Sequence, residues 1–433
     1  MINFLKNNAF ARNSLILFAG SVLANLLNYF FHLIIGRLVS VEIYGQTESL
    51  ISLIAIISVP AATLGLVATK FAAAGKAENN PGSSRSLMKY LNRQVFIYGL
   101  PIFLLALALT PLLDNFLRIP SFYPLAIIWT GMFLSFFVTI NLGILSGWQK
   151  FVAVSENSVL SALIKFVFGV TLVTLGFRLN AIVGSFAVAG VAAYLASIIM
   201  LKFLRTAPNA SRNGEEKKIN FQPVKNYVWP VFVGSLAINI LGNIDMIFAK
   251  HNLNSILAGQ YGALNVISKV IFFITGIIAS VLFAMAAEHS HKKTDSAPIL
   301  KNALALTLLF CALAVIFYFF FPSFVLSVFF GSKYLSVGVY LGWFAVSASL
   351  FSLANLILQY LLSIHETKIA NIYLVLSILA GALILLLGKS IFAILIMISL
   401  ANLAGVLIGV IFLYRQRFSA LAEETPAIIN YIE

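Results

Sequence analysis

The 433-residue sequence predicts an all-α polytopic membrane protein, with about twelve transmembrane helices in two parallel-repeat lobes of six. Three observations carry that reading. Hydrophobic residues make up 61% of the chain and charged residues only 10%, so lipid is the solvent for most of it. Apolar runs of about 20 residues, the length that a hydrocarbon core about 30 Å thick requires, recur between polar breaks. The two halves also share polar residues at matching positions, the mark of a duplication.

In chain order, the expected spans cover 14–36, 47–69, 95–114, 124–146, 157–177, 180–201, 228–249, 260–287, 298–321, 338–363, 369–388 and 391–413. The runs are continuous and rich in Leu, Ile, Ala and Gly, unlike the alternating strands of about ten residues that build a β-barrel. The first begins near Ser14 and passes Ile35, too long for a signal-peptide core and without a small-residue cleavage site, so it reads as a retained span. Basic residues gather on alternate connections. Lys6, Arg12, Lys70, Lys76, Arg85, Lys89, Arg93, Lys150, Lys202, Arg205, Arg212, Lys217, Lys218, Lys225, Lys292, Lys293, Lys301, Lys368, Arg415 and Arg417 fall on one side, and only Arg37, Arg118, Arg178, Lys250, Lys333 and Lys389 on the other. The positive-inside rule then places both termini in the cytoplasm, with the chain in the inner membrane. The net charge of +14 reads as topology, not nucleic-acid binding. The polar connection 206–227 reads as a cytoplasmic linker between an N-terminal lobe, 1–205, and a C-terminal lobe, 228–433. The single cysteine, Cys311, rules out a disulfide framework or a Cys-based metal cluster.

Setting residue 20 against residue 234 aligns Gly20, Ser21, Asn25 and Leu27 with Gly234, Ser235, Asn239 and Leu241, and Asn141-Leu142 with Asn355-Leu356. Tyr44-Gly45 matches Tyr261-Gly262 after a three-residue insertion. Six spans per half is an even number, so both copies have the same topology, with a substrate path expected between them.

The opening stretch has a polar first span with Asn25 and Asn28, a Gly36-Arg37 exit, the Tyr44-Gly45 turn, a Ser-rich second span and a basic landing at Lys70. Together with the LSGWQKFVAVSENSVLSALIKFVFG stretch, which carries Gly147, Lys150 and Asn157, it resembles the Wzx-like polysaccharide flippases of the MOP superfamily. The resemblance implies a MATE/MOP-like fold and a transporter that flips polyprenyl-diphosphate-linked oligosaccharides from the cytoplasmic to the periplasmic leaflet by alternating access. It implies membrane lipids and a polysaccharide polymerase complex as partners, and no nucleic acid.

Charges inside spans cost about 2.5–3.5 kcal/mol each at a helix centre and are functional candidates. Lys165 shares a helical stripe with Ser158, Ser161 and Gly169, and Lys269 lies beside Asn265 and Ser268. Either ammonium could hold a diphosphate by charge; the bland reading is a lysine snorkelling to the interface. Arg37, at the exit of the first span, is a further candidate for diphosphate contact or an interfacial anchor. Asn25, Asn28 and Asn239 are candidates for sugar or backbone hydrogen bonds, on polar stripes of Ser21, Asn25, Asn28 and His32 in the first span and Ser235, Asn239, Asn243 and Lys250 in the seventh. Simple interhelical bonding would also explain the amides. Asp245 and Glu48 are candidate ion-coupling carboxylates. Against that, Asp245 could pair with Lys250 or Lys269, and Glu48 could be an ordinary interfacial acid. His32 could relay protons or simply satisfy a hydrogen bond. Arg85, Lys89 and Arg93 form a basic ridge suited to anionic headgroups.

Catalytic motifs fail. Gly388-Lys389-Ser390 has Leu383 where a P-loop needs glycine, and Glu288, His289 and His291 lack metalloprotease spacing. Hence no enzyme, no cofactor and no metal are expected, and coupling is left to an H+ or Na+ gradient. Two rivals remain. A cation-coupled multidrug exporter of the same superfamily would want a more acidic or aromatic cavity. A membrane glycan polymerase or ligase would need a large extracytoplasmic loop that these short connections do not provide.

Overall fold

The computed structural model describes residues 9–206, 222–291, 294–364 and 366–429, and among them it is helical without strands. Most of the linker expected at 206–227 lies outside the described residues, as do Lys6, Lys292 and Lys293. Among the described residues, twelve helices or helix pairs are long and apolar enough to cross a membrane. The chain divides into two compact units, Met1–Val228 and Trp229–Glu433.

In the first unit, α1 (Ala9–Leu38) is followed by α2 (Val41–Ile57) and α3 (Val59–Ala77), one apolar stretch interrupted at Ser58 because Pro60 follows and cannot donate to the ladder. Next come α4 (Pro81–Gln94), a π-helical turn (Val95–Gly99), α5 (Leu100–Ala108) and α6 (Thr110–Leu117). The α4 helix starts on an Asn80 cap, whose side chain accepts from the Ser83 amide at 3.1 Å, with Pro81 in the first turn. Then α7 (Tyr123–Gly147), α8 (Phe151–Thr174), α9 (Arg178–Met200) and α10 (Lys202–Thr206) complete the unit.

Small residues set its tightest contact. Gly143 and Gly147 of α7 pack on Gly65 and Thr69 of α3 so closely that a Cβ on Gly143 would collide with the Gly65 carbonyl oxygen. This is the backbone approach that helices in lipid use in place of hydrophobic collapse. In turn α8 packs between α1 and α9, and Asn157 fastens it by donating to the Ala193 carbonyl at 2.8 Å.

The second unit begins within α11 (Gln222–Leu241) and contains α12 (Ile244–Asn252), α13 (Ser255–His291), α14 (Ala297–Phe320), α15 (Pro322–Phe329), a 3-10 segment (Ser332–Tyr340), α16 (Leu341–Ser363), α17 (Lys368–Leu387) and α18 (Ile391–Ile429). The helix α16 is its hub, packed against α13, α14 and α18. The expected seventh span is present as Trp229–Asn252, and within it the helix breaks at Gly242-Asn243, a turn-forming pair inside an apolar run, and restarts with Asp245 in the first turn of α12.

Candidate functional site

Each unit has a polar-lined cavity of its own. In the first, α1, α7, α8 and α9 surround a cavity of about 540 Å³. The polar stripe of α1 opens onto it through Ser21, Asn25 and Asn28, and that of α8 through Ser158, Ser161 and Lys165. These residues share faces because positions three, four and seven apart recur on one side of a helix.

Lys165 is only 9% exposed at mid-helix, so it does not snorkel. Its Nζ lies 4.8 Å from the ring centre of Phe31 and 4.7 Å from that of Phe186. Each such cation–π contact is worth about 0.5–2 kcal/mol, and two together match the cost of a cation at bilayer depth. Among the described residues the ammonium makes no hydrogen bond, which leaves its donors available to an anion in the cavity. Gly169, one turn on, makes room for the arrangement, since a Cβ there would strike the Phe31 ring.

Behind Lys165 sits Glu48, its electrostatic partner. Glu48 is 4% exposed, two turns inside α2, and not the ordinary interfacial carboxylate that its sequence position suggests. It lies 2.6 Å from His32 Nδ1, a pairing of two residues that the sequence offers only separately. Arg37 is exposed at the end of α1 and lines neither cavity.

The second unit encloses a smaller space of about 40 Å³ beside the helix break. Asp245 Oδ2 accepts hydrogen bonds from the Tyr261 hydroxyl at 2.6 Å and from Asn265 Nδ2 at 2.8 Å. Lys269 donates from Nζ to Asn243 Oδ1 at 2.9 Å and is an electrostatic partner of Asp245, one of the two pairings the sequence leaves open. The amides of Asn239 and Asn243 each fold back onto the carbonyl four residues earlier, both at 2.9 Å, so this stripe satisfies its own helix end. The pairing repeats across the duplication. Glu48 and Asn265 stand at matching places after Tyr44-Gly45 and Tyr261-Gly262, each bonded to a residue near the end of the preceding span.

Phe31, Phe186, Tyr261 and Asn402 are the contributors that sequence reasoning does not single out for chemistry. Aromatic side chains within long apolar helices give no periodic signal of their own. Only the Gly242-Asn243 dipeptide could have marked the break in advance.

Residues 10–288 match the sequence family described as polysaccharide biosynthesis protein. The chain belongs to that family. No curated protein matches the sequence. Among solved structures, a multidrug resistance MATE family transporter of the MOP superfamily in an inward-facing conformation aligns with TM-score 0.71 and 15% identity, over 92% of this chain and 96% of that one. The lipid II flippase MurJ, inward closed, aligns at 0.69 and 17%, over 92% and 87%. A MOP superfamily transporter from Pyrococcus furiosus, described by the reverse polarity of its binding pocket, aligns at 0.61 and 18%, over 95% and 96%. Such identities establish the MOP fold. This polysaccharide biosynthesis family member shares that fold and has, among the described residues, twelve segments long and apolar enough to make it a multi-pass membrane protein.

Proposed function

We propose that this family member flips a polyprenyl-diphosphate-linked oligosaccharide from the cytoplasmic to the periplasmic leaflet of the inner membrane, with both termini cytoplasmic. The observation that carries the reading is Lys165: a buried cation with open donors, facing a polar cavity of about 540 Å³. A cavity of that size lies in the range that binds small ligands, and a buried ammonium there selects an anion such as a phosphate or an acidic sugar. Asn25 and Asn28 supply amides for sugar hydroxyls, while the polyprenyl tail stays in lipid. Arg37 contributes at the periplasmic mouth. Coupling draws on an H+ or Na+ gradient through Glu48 or Asp245, and one charge moved inward contributes about 2.3 kcal/mol per 100 mV. A polysaccharide polymerase complex takes the product.

The test is reconstitution with a fluorescent lipid-diphosphate oligosaccharide, comparing the wild type with Lys165→Ala and with Lys165→Ala/Lys269→Ala. Flipping should fall at least about tenfold in the single variant, the loss of roughly one charge-assisted contact. Wild-type rates in the double variant would sink the proposal. A second reading, a cation-coupled drug exporter, draws on the MATE transporters among the structural neighbours. It predicts ethidium efflux from loaded vesicles, which a cavity holding a buried lysine disfavours.

A further inference from the structure

The small cavity of the second unit has the donor set of a monovalent-cation site. Asp245 and Asn402, 6% and 2% exposed, line it, and each has one oxygen, Oδ1, buried without a hydrogen-bond partner among the described residues. The hydroxyl-bearing Ser268 and Ser347 line the same space, which holds about one water or one ion. A buried carboxylate with an unsatisfied oxygen is costly unless a positive charge stands near it.

That charge is already covalently attached. Lys269 is the one cation among the lining residues, and its ammonium bonds Asn243 Oδ1 at the helix break. The carbonyl end of α11 stops at Leu241, immediately before it, and adds the negative end of a helix dipole to the same place. We infer that the Lys269 ammonium is a tethered monovalent cation, standing where an inorganic ion would otherwise bridge Asn243, Asp245 and the carbonyl end of α11. The native second unit therefore needs no Na+ or K+ at this site, and removing the ammonium while keeping its stem opens a site that these ions fill. The inference rests on the second unit alone and not on the identity of the cargo. It removes Asp245 from ion coupling and leaves Glu48, with His32, as the carboxylate available to a driving ion.

The experiment is thermal unfolding of the purified full chain, followed by tryptophan fluorescence, in NaCl, KCl and choline chloride at constant ionic strength. The wild type should give the same Tm in all three salts. Lys269→Met should unfold earlier in choline and regain about 2–4 °C in Na+ or K+ at about five times Kd, the Tm rising with the logarithm of the ion concentration beyond that. The Asp245→Asn/Lys269→Met protein should be insensitive to the cation and more stable than Lys269→Met in choline. A rise in Tm in Na+ or K+ over choline in the wild type, or none in Lys269→Met, overturns the inference. Should Lys269→Met yield protein in no salt, the double variant decides: its recovery supports charge neutralisation, and its equal loss overturns it.

Discussion

Lys165 and Lys269 read alike in the sequence, as lysines in apolar spans, and the structure gives them different surroundings. Lys165 rests between two aromatic faces with its donors open to a cavity; Lys269 is bonded to Asn243 beside a carboxylate. Opposite responses to neutralisation follow. Lys165→Gln should cut flipping by about tenfold or more yet leave Tm unchanged or raised, because it removes a buried charge costing about 2.5–3.5 kcal/mol. A drop in Tm with flipping intact would show that the lysine is structural. Phe31 is fully buried, so Phe31→Ala should cost roughly 3–5 kcal/mol of stability, seen as an earlier unfolding transition. The His32–Glu48 contact carries a separate expectation: in Glu48→Gln, flipping should lose its response to an imposed proton gradient. If the response persists, proton coupling does not pass through Glu48. The stripes of α1 and α8 are legible from spacing, but the aromatic partners are not, since any Phe in these helices fits the pattern equally well.

Among the elements, the α3–α7 contact and the break between α11 and α12 matter most, and both turn on glycine. Gly143→Leu would drive a branched side chain into the α3 backbone, where no flexible side chain can yield, and should destabilise by about 1–3 kcal/mol or more. The same change at Gly131, where a Cβ would meet nothing within 4 Å, should leave Tm almost unaffected and serves as the control. The twelve apolar runs were legible because length and hydropathy alone identify them. Element ends were less so: the expected start of span two at 47 misses the first turns of α2, and the expected third span, 95–114, misses α4. Polar and charged residues end a hydropathy run before they end a helix, and both segments carry such residues, Glu42 and Gln46 in one and Arg85, Lys89 and Arg93 in the other.

For the molecule as a whole, orientation is the open expectation, and the single cysteine makes it accessible. On a Cys311→Ser background, cysteines placed at Lys333 or Lys389 should react with a membrane-impermeant thiol reagent in intact cells, and those at Lys76 or Lys150 only after lysis. The reverse pattern would invert the topology. The amino-acid sequence fixes the class of molecule, the number of spans and the repetition of polar residues between halves, because transfer into lipid depends on local composition and a duplication preserves register. It does not encode which faces meet. In lipid nearly every helix face is apolar, so the amphipathic stripe that identifies a buried face in a soluble protein is largely erased. The aromatic bed of Lys165, the contact between His32 and Glu48 and the lysine at the α11–α12 break all arise from packing between separate helices, and only the fold brings their side chains together.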